Sequence, residues 1–168
     1  GIDIDLTFSV EGEVVEPTTV TALYTGATTN MAASPANNAS LINLDPVLFN
    51  VLSVKGGASN EVGLNTAGQI RLYANRTTGV GNTLSIAIAE GYTITSITFT
   101  YGASSNSPTA TLTLGTDTFS LLAAELTNTT TTYDTLNITS FSLFNTQLGG
   151  TSNSQIYILS IAITYIAN

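Results

Sequence analysis

Arg71 and Tyr73 are the residues best placed to meet a ligand. In the run Gln69-Ile70-Arg71-Leu72-Tyr73-Ala74 apolar side chains alternate with these two. A strand turns successive side chains to opposite faces, so Ile70, Leu72 and Ala74 belong to a core and Arg71 and Tyr73 to solvent. A phenol ring beside a guanidinium on an outward face offers a stacking surface and planar donors, a pairing suited to a sugar.

Little else in the chain can do chemistry. It has no His and no Cys, which removes the usual general base and the best nucleophile. Lys55 sits beside Gly56-Gly57 in a segment that reads as a solvated turn. Asp3, Asp5, Glu11, Glu13 and Glu16 crowd the N-terminus, and most other carboxylates adjoin turn residues, so no converging pair for glycoside hydrolysis is visible. Asp3 and Asp5 share one face of the first strand, but Ca²⁺ takes about six to eight oxygens from a spaced loop that is not seen here. The expectation is therefore no enzyme, no metal site and no cofactor. Asn38, Asn75, Asn128 and Asn137 each begin an N-glycosylation triplet.

At 168 residues the chain suits one domain. Only 8% of residues are charged, against about 25% in an ordinary soluble domain. The net charge of −8 leaves Lys55, Arg71 and Arg76 as the cations, too few for a phosphate-binding patch, which excludes nucleic-acid binding. No run of about 18 apolar residues exists, so no membrane insertion is expected. A start at Gly1 rather than Met reads as removal of a signal peptide. With a surface of Thr, Ser and Asn, this points to a secreted or cell-surface protein.

The elements that must position these residues are strands. At the N-terminus Ile2, Ile4, Leu6, Phe8 and Val10 alternate with polar residues, giving a strand with one apolar face. Further strands are expected over residues 18–25, 69–74, 83–89, 93–101, 110–114, 119–122, 137–144 and 155–166. Residues 47–54 read as a buried strand or a helical turn, and residues 26–40 and 127–132 as loops. The step from Ile94 to Ile97 breaks the alternation and predicts a β-bulge; Glu90-Gly91 predicts a hairpin-like link. The fold class is all-β: a single jelly-roll-like β-sandwich with an extended N-terminal strand. Residues 1–11 form a donor-type strand, 12–17 a linker and 18–168 the sandwich. Most tyrosines (Tyr24, Tyr92, Tyr101, Tyr133, Tyr157 and Tyr165) fall within strand patterns, and a packing or edge role is expected for each.

Three segments, Gly68-Gln69-Ile70-Arg71-Leu72-Tyr73-Ala74-Asn75, the stretch 91–101 and the ending 155–165, resemble a jelly-roll-like domain of secreted and surface proteins of mollicutes and related Gram-positive bacteria. The similarity covers roughly residues 40–166. It implies a β-sandwich with sugar or surface binding and transfers no catalytic residue. A terminal alternating strand ahead of a jelly roll is also similar in layout to donor-strand-linked pilus and extracellular-fibre subunits.

The expected function is a structural subunit of an extracellular filament. Ile2, Ile4, Leu6, Phe8 and Val10 of one subunit would add to a groove in the next, making the chain its own partner in a homopolymer. The alternative is a carbohydrate- or surface-binding module that takes glycans through Arg71 and Tyr73.

Overall fold

The computed structural model describes residues 1–4 and 14–168. Leu6, Phe8 and Val10 of the expected donor strand lie outside the described residues, as do Asp5, Glu11 and Glu13. The strands are β1 (Thr18–Ala22), β2 (Thr29–Asn30), β3 (Phe49–Val54), β4 (Gly63–Leu64), β5 (Ile70–Leu72), β6 (Thr83–Ile88), β7 (Tyr92–Tyr101), β8 (Ala110–Leu114), β9 (Asp117–Leu121), β10 (Thr130–Tyr133), β11 (Ser140–Asn145) and β12 (Ile156–Ala167). Two short 3-10 turns, Ala39–Ile42 and Ala123–Glu125, are the helical elements among the described residues.

The strands form two antiparallel sheets. One has seven strands in the order β10-β7-β12-β5-β4-β2, with β1 added to β12; the other has five, β3-β6-β11-β8-β9. Strand β12 is the spine of the larger sheet: β7 runs along one side, β5 and then β1 along the other. Its alternation puts Ile156, Ile158, Ile161 and Ile163 inside. Two apolar residues three apart cannot both face inward in a regular strand, and a register shift between Ile158 and Ser160 resolves this by bulging at Leu159. The bulge expected in β7 is present, where Thr164 faces Ser96 and Tyr165 faces Ile94.

Between the sheets, Phe99, Ile97, Ile70 and Leu72 meet Phe49, Ile86, Leu112, Phe141 and Leu143 in one buried cluster. Burying a side chain of this size is worth roughly 1.5–3 kcal/mol. Phe99 stacks on Tyr101 and meets Phe141 edge-on, and Tyr165 joins Phe49 and Tyr92 in edge-to-face pairs. The packing role expected for most tyrosines holds for these three.

Two expectations are corrected. Residues 127–132 are expected to be loop, but Thr130–Tyr133 pair with β7 as an edge strand. Its Thr-Thr-Thr-Tyr sequence has no apolar alternation because Thr130 and Thr132 face solvent at the rim. Glu90-Gly91 does not close a hairpin: β6 belongs to the smaller sheet and β7 to the larger, so the link crosses the sandwich. Of residues 47–54, expected as a buried strand or a helical turn, Phe49–Val54 form β3, and Val47 and Leu48 lie in the turn before it.

Candidate functional site

On β5 the alternation read from sequence holds: Ile70 and Leu72 are buried, while Arg71 and Tyr73 stand on the outer face. The register places Arg71 opposite Tyr157 of β12 on one side and Gly63 of β4 on the other. The Arg71 guanidinium carbon lies 5.7 Å from the centre of the Tyr157 ring. A cation at that distance from an aromatic face gains about 0.5–1 kcal/mol at an exposed site. The Tyr73 ring lies over Gly63, where an added Cβ would come within 2.7 Å of the phenol oxygen. A side chain at position 63 would therefore displace the ring.

The result is a half-exposed strip of Tyr73, Arg71 and Tyr157, bordered by two glycines. Gly102 flanks the far side of Tyr157; its amide donates to the Tyr157 carbonyl at 2.9 Å. Beneath the strip two polar atoms are unpaired. The buried Nε of Arg71 and the buried Oε1 of Gln155, two residues before Tyr157, have no hydrogen-bond partner among the described residues.

Asn82 holds the strip in place. Its Oδ1 accepts from the Tyr73 amide at 2.8 Å, and its own amide donates to the Tyr73 carbonyl at 2.8 Å. Its Nδ2 reaches the carbonyls of Lys55 and Asn60. Asn145 links the sheets, donating from β11 to the carbonyls of Leu72 and Ser154. Both side chains are fully buried, and each side-chain amide is satisfied by backbone groups.

Beyond the strip, at one end of the sandwich, loops border an open cleft of about 460 Å³ lined by Asn106, Thr109, Thr146, Gln147, Gly149 and Gly150 among others. Gln147 staples its wall by donating to the carbonyls of Gly149 and Ser152, and Arg76 Nη1 donates to the Gly150 carbonyl at 2.7 Å. Among the described residues no carboxylate lines this cleft.

No protein-family model matches the chain, and no curated protein matches its sequence. Neither resemblance drawn from the sequence is met by these comparisons. Among solved structures, the chain is similar to truncated AlyQ with CBM32 and alginate lyase domains, at 15% identity and a TM-score of 0.40, covering 90% of this chain and 35% of that one. It is similar also to the CBM32 of AlyQ in complex with 4,5-unsaturated mannuronic acid, at 14% identity and a TM-score of 0.40, covering 84% and 96%. Likenesses this distant carry neither ligand nor function to the chain, and the sandwich assignment rests on the strand pairing itself.

The remaining sequence candidates fall apart from one another. Asn38 is 2% exposed, with its amide bonded to Ala32, Ala36 and Val51, so the folded chain does not present it for glycosylation. The half-buried Asn75 donates to the Gly57 carbonyl and accepts from the Thr77 amide. Asn128 and Asn137 are exposed on either side of β10. Ile2 and Ile4 are 93% and 73% exposed. Asp3 is exposed, and no group of metal-ligating side chains occurs among the described residues. Burial, with Tyr133 and Glu125 adding to it, pushes the Tyr101 hydroxyl well above the usual phenol range; that hydroxyl is buried and has no hydrogen-bond partner among the described residues.

The strip had one part legible in sequence and one missed. Tyr157 alternates with Ile156 and Ile158 as Arg71 does with Ile70 and Leu72, which signals its outward direction. Nothing local signals that Arg71 is its neighbour.

Proposed function

We propose that the chain is a non-catalytic carbohydrate-binding β-sandwich module of a secreted protein. One observation carries the reading: an Arg71 guanidinium seated on the Tyr157 ring, beside Tyr73, on an outward face bordered by glycines. Aromatic rings stack on the C–H faces of sugars, and a planar guanidinium supplies directed donors to their hydroxyls. The low charge of the chain suits a neutral, hydroxyl-bearing ligand. A glycan array followed by affinity electrophoresis of wild type, Tyr157→Ala and Arg71→Ala tests it. Binding that both variants lose supports the reading; a wild type that binds no glycan, or variants that bind unchanged, overturns it.

A second reading, the filament subunit, is favoured by the exposure of Ile2 and Ile4, two large apolar side chains that take no part in the core of their own chain. Donation of residues 1–11 to a neighbouring copy would cover them. Size-exclusion chromatography of full-length protein and of a variant lacking residues 1–11 tests this. Assembly that survives the deletion removes the reading.

A further inference from the structure

Past the Leu159 bulge, the face that carries the Tyr73-Arg71-Tyr157 strip changes character. Thr132 of β10 pairs with Thr98 of β7, Thr98 with Ala162 of β12, and Ala162 with Thr21 of β1. A parallel row runs Thr130, Thr100 and Ser160, and another Thr19, Thr164 and Ser96. Their neighbours along each strand, Ile97, Phe99, Ile161 and Ile163, are buried, so these small side chains make up the outer surface. Hydroxyls bond across the strands: Thr98 to Thr132 at 2.8 Å, Thr19 to Thr164 at 2.8 Å and Thr100 to Thr130 at 3.3 Å.

None of the four strands β1, β7, β10 and β12 contains a charged residue. Solvent-facing sheets ordinarily carry charges that keep them soluble and unpaired. In each bonded hydroxyl pair one donor is consumed, leaving one O–H and free lone pairs to face outward. Such a surface has nothing to compensate the desolvation of a charged partner, and it matches one built of hydroxyls. Strand spacing of about 4.8 Å and a repeat of about 6.8 Å along each strand make the array regular.

We infer that this hydroxyl array docks on the face of an ordered, insoluble, uncharged polysaccharide, with the Tyr73-Arg71-Tyr157 strip continuing the same contact. This deepens the carbohydrate reading and rests on it for the strip alone. Each hydroxyl contact is weak; a solid polymer presents many at fixed positions without the ordering entropy that a dissolved chain must lose.

The test uses the whole chain, particles of microcrystalline cellulose and of chitin, and the matching dissolved oligosaccharides. Thr130→Lys combined with Thr132→Lys, at exposed rim positions, is expected to cut retention on one of the particles about tenfold, because buried charge at an interface is not compensated. Binding of dissolved oligosaccharide stays as in wild type, since the strip is intact. Thr113→Lys with Ser142→Lys, on the outer face of the other sheet, keeps retention within about twofold. Thr98→Val with Thr100→Val, which keeps shape and removes hydroxyls, lowers retention about threefold and serves if the lysine variant does not fold. Unchanged retention of the hydroxyl-face variants overturns the inference. So does retention on neither particle, an equal loss from the control pair, or partition into growing ice in place of the particles. Loss of oligosaccharide binding in Tyr157→Ala is read separately, so failure of the strip and failure of the array are distinguishable.

Discussion

The two outer faces of this sandwich start from similar material and end with different surfaces. On the five-stranded sheet, Leu52, Ser85, Ser142, Thr113 and Thr118 form one transverse row, and Thr83, Phe144 and Thr111 lie in the next. Apart from Asp117 at the start of edge strand β9, the strands of that sheet are uncharged too. Yet Leu52 and Phe144 interrupt its hydroxyls, and it holds no guanidinium. On the seven-stranded sheet, hydroxyls bond in cross-strand pairs, and the Tyr-Arg-Tyr strip takes over beyond the β12 bulge. Low charge alone therefore does not make a binding face. What sets the two faces apart is arrangement across strands, because cross-strand neighbours lie close enough to act as one surface.

The largest disturbance of this difference is expected from Asn82→Ala. It unties the Tyr73 backbone and leaves buried groups unpaired, so stability falls by roughly 3 kcal/mol, read by urea denaturation, and glycan binding fails even where the chain remains folded. Tyr157→Ala comes next: affinity for the glycan falls about tenfold or more, while Phe144→Ala on the opposite face leaves it unchanged in the same titration. If both lower affinity equally, the two faces do not differ in the way described.

An alkaline titration separates surface from interior. Tyr101 keeps its proton in the folded chain well above the pH at which an unfolded tyrosine, with a pKa of about 10, releases it. The folded state then binds more protons than the unfolded one, so this contribution is fully present below about pH 10 and is lost as pH rises. Stability is expected to fall increasingly steeply above that point, approaching about 1.4 kcal/mol per pH unit roughly a unit higher, and Tyr101→Phe should flatten the slope without touching glycan binding. The smallest effect is expected for Arg71→Lys, which keeps the charge and loses the planar fork: affinity drops about threefold, measured by affinity electrophoresis.

Much of the sandwich was legible because its strands are amphipathic in the simplest way. Ile70 and Leu72 against Arg71 and Tyr73, or Leu84, Ile86 and Ile88 against Thr83, Ser85 and Ala87, declare their faces within six residues. The bulge in β7 showed as a misplaced apolar step. Strand β10 stayed hidden, since a rim strand of threonines buries too little to leave a pattern. Burial of Asn38 was hidden as well: a glycosylation triplet describes three residues and says nothing of the backbone that closes over them.

In the amphipathic strands the amino-acid order by itself determined which side chains face inward and which outward, because a period of two is written into them before any partner arrives. Only the tertiary structure decided that Arg71 meets Tyr157, that Asn82 clamps Tyr73, and that threonines from β1, β7, β10 and the outward residues of β12 share one surface. Those neighbours come from distant parts of the chain, and strand order is set by how two sheets close over a common core, a quantity no local window contains.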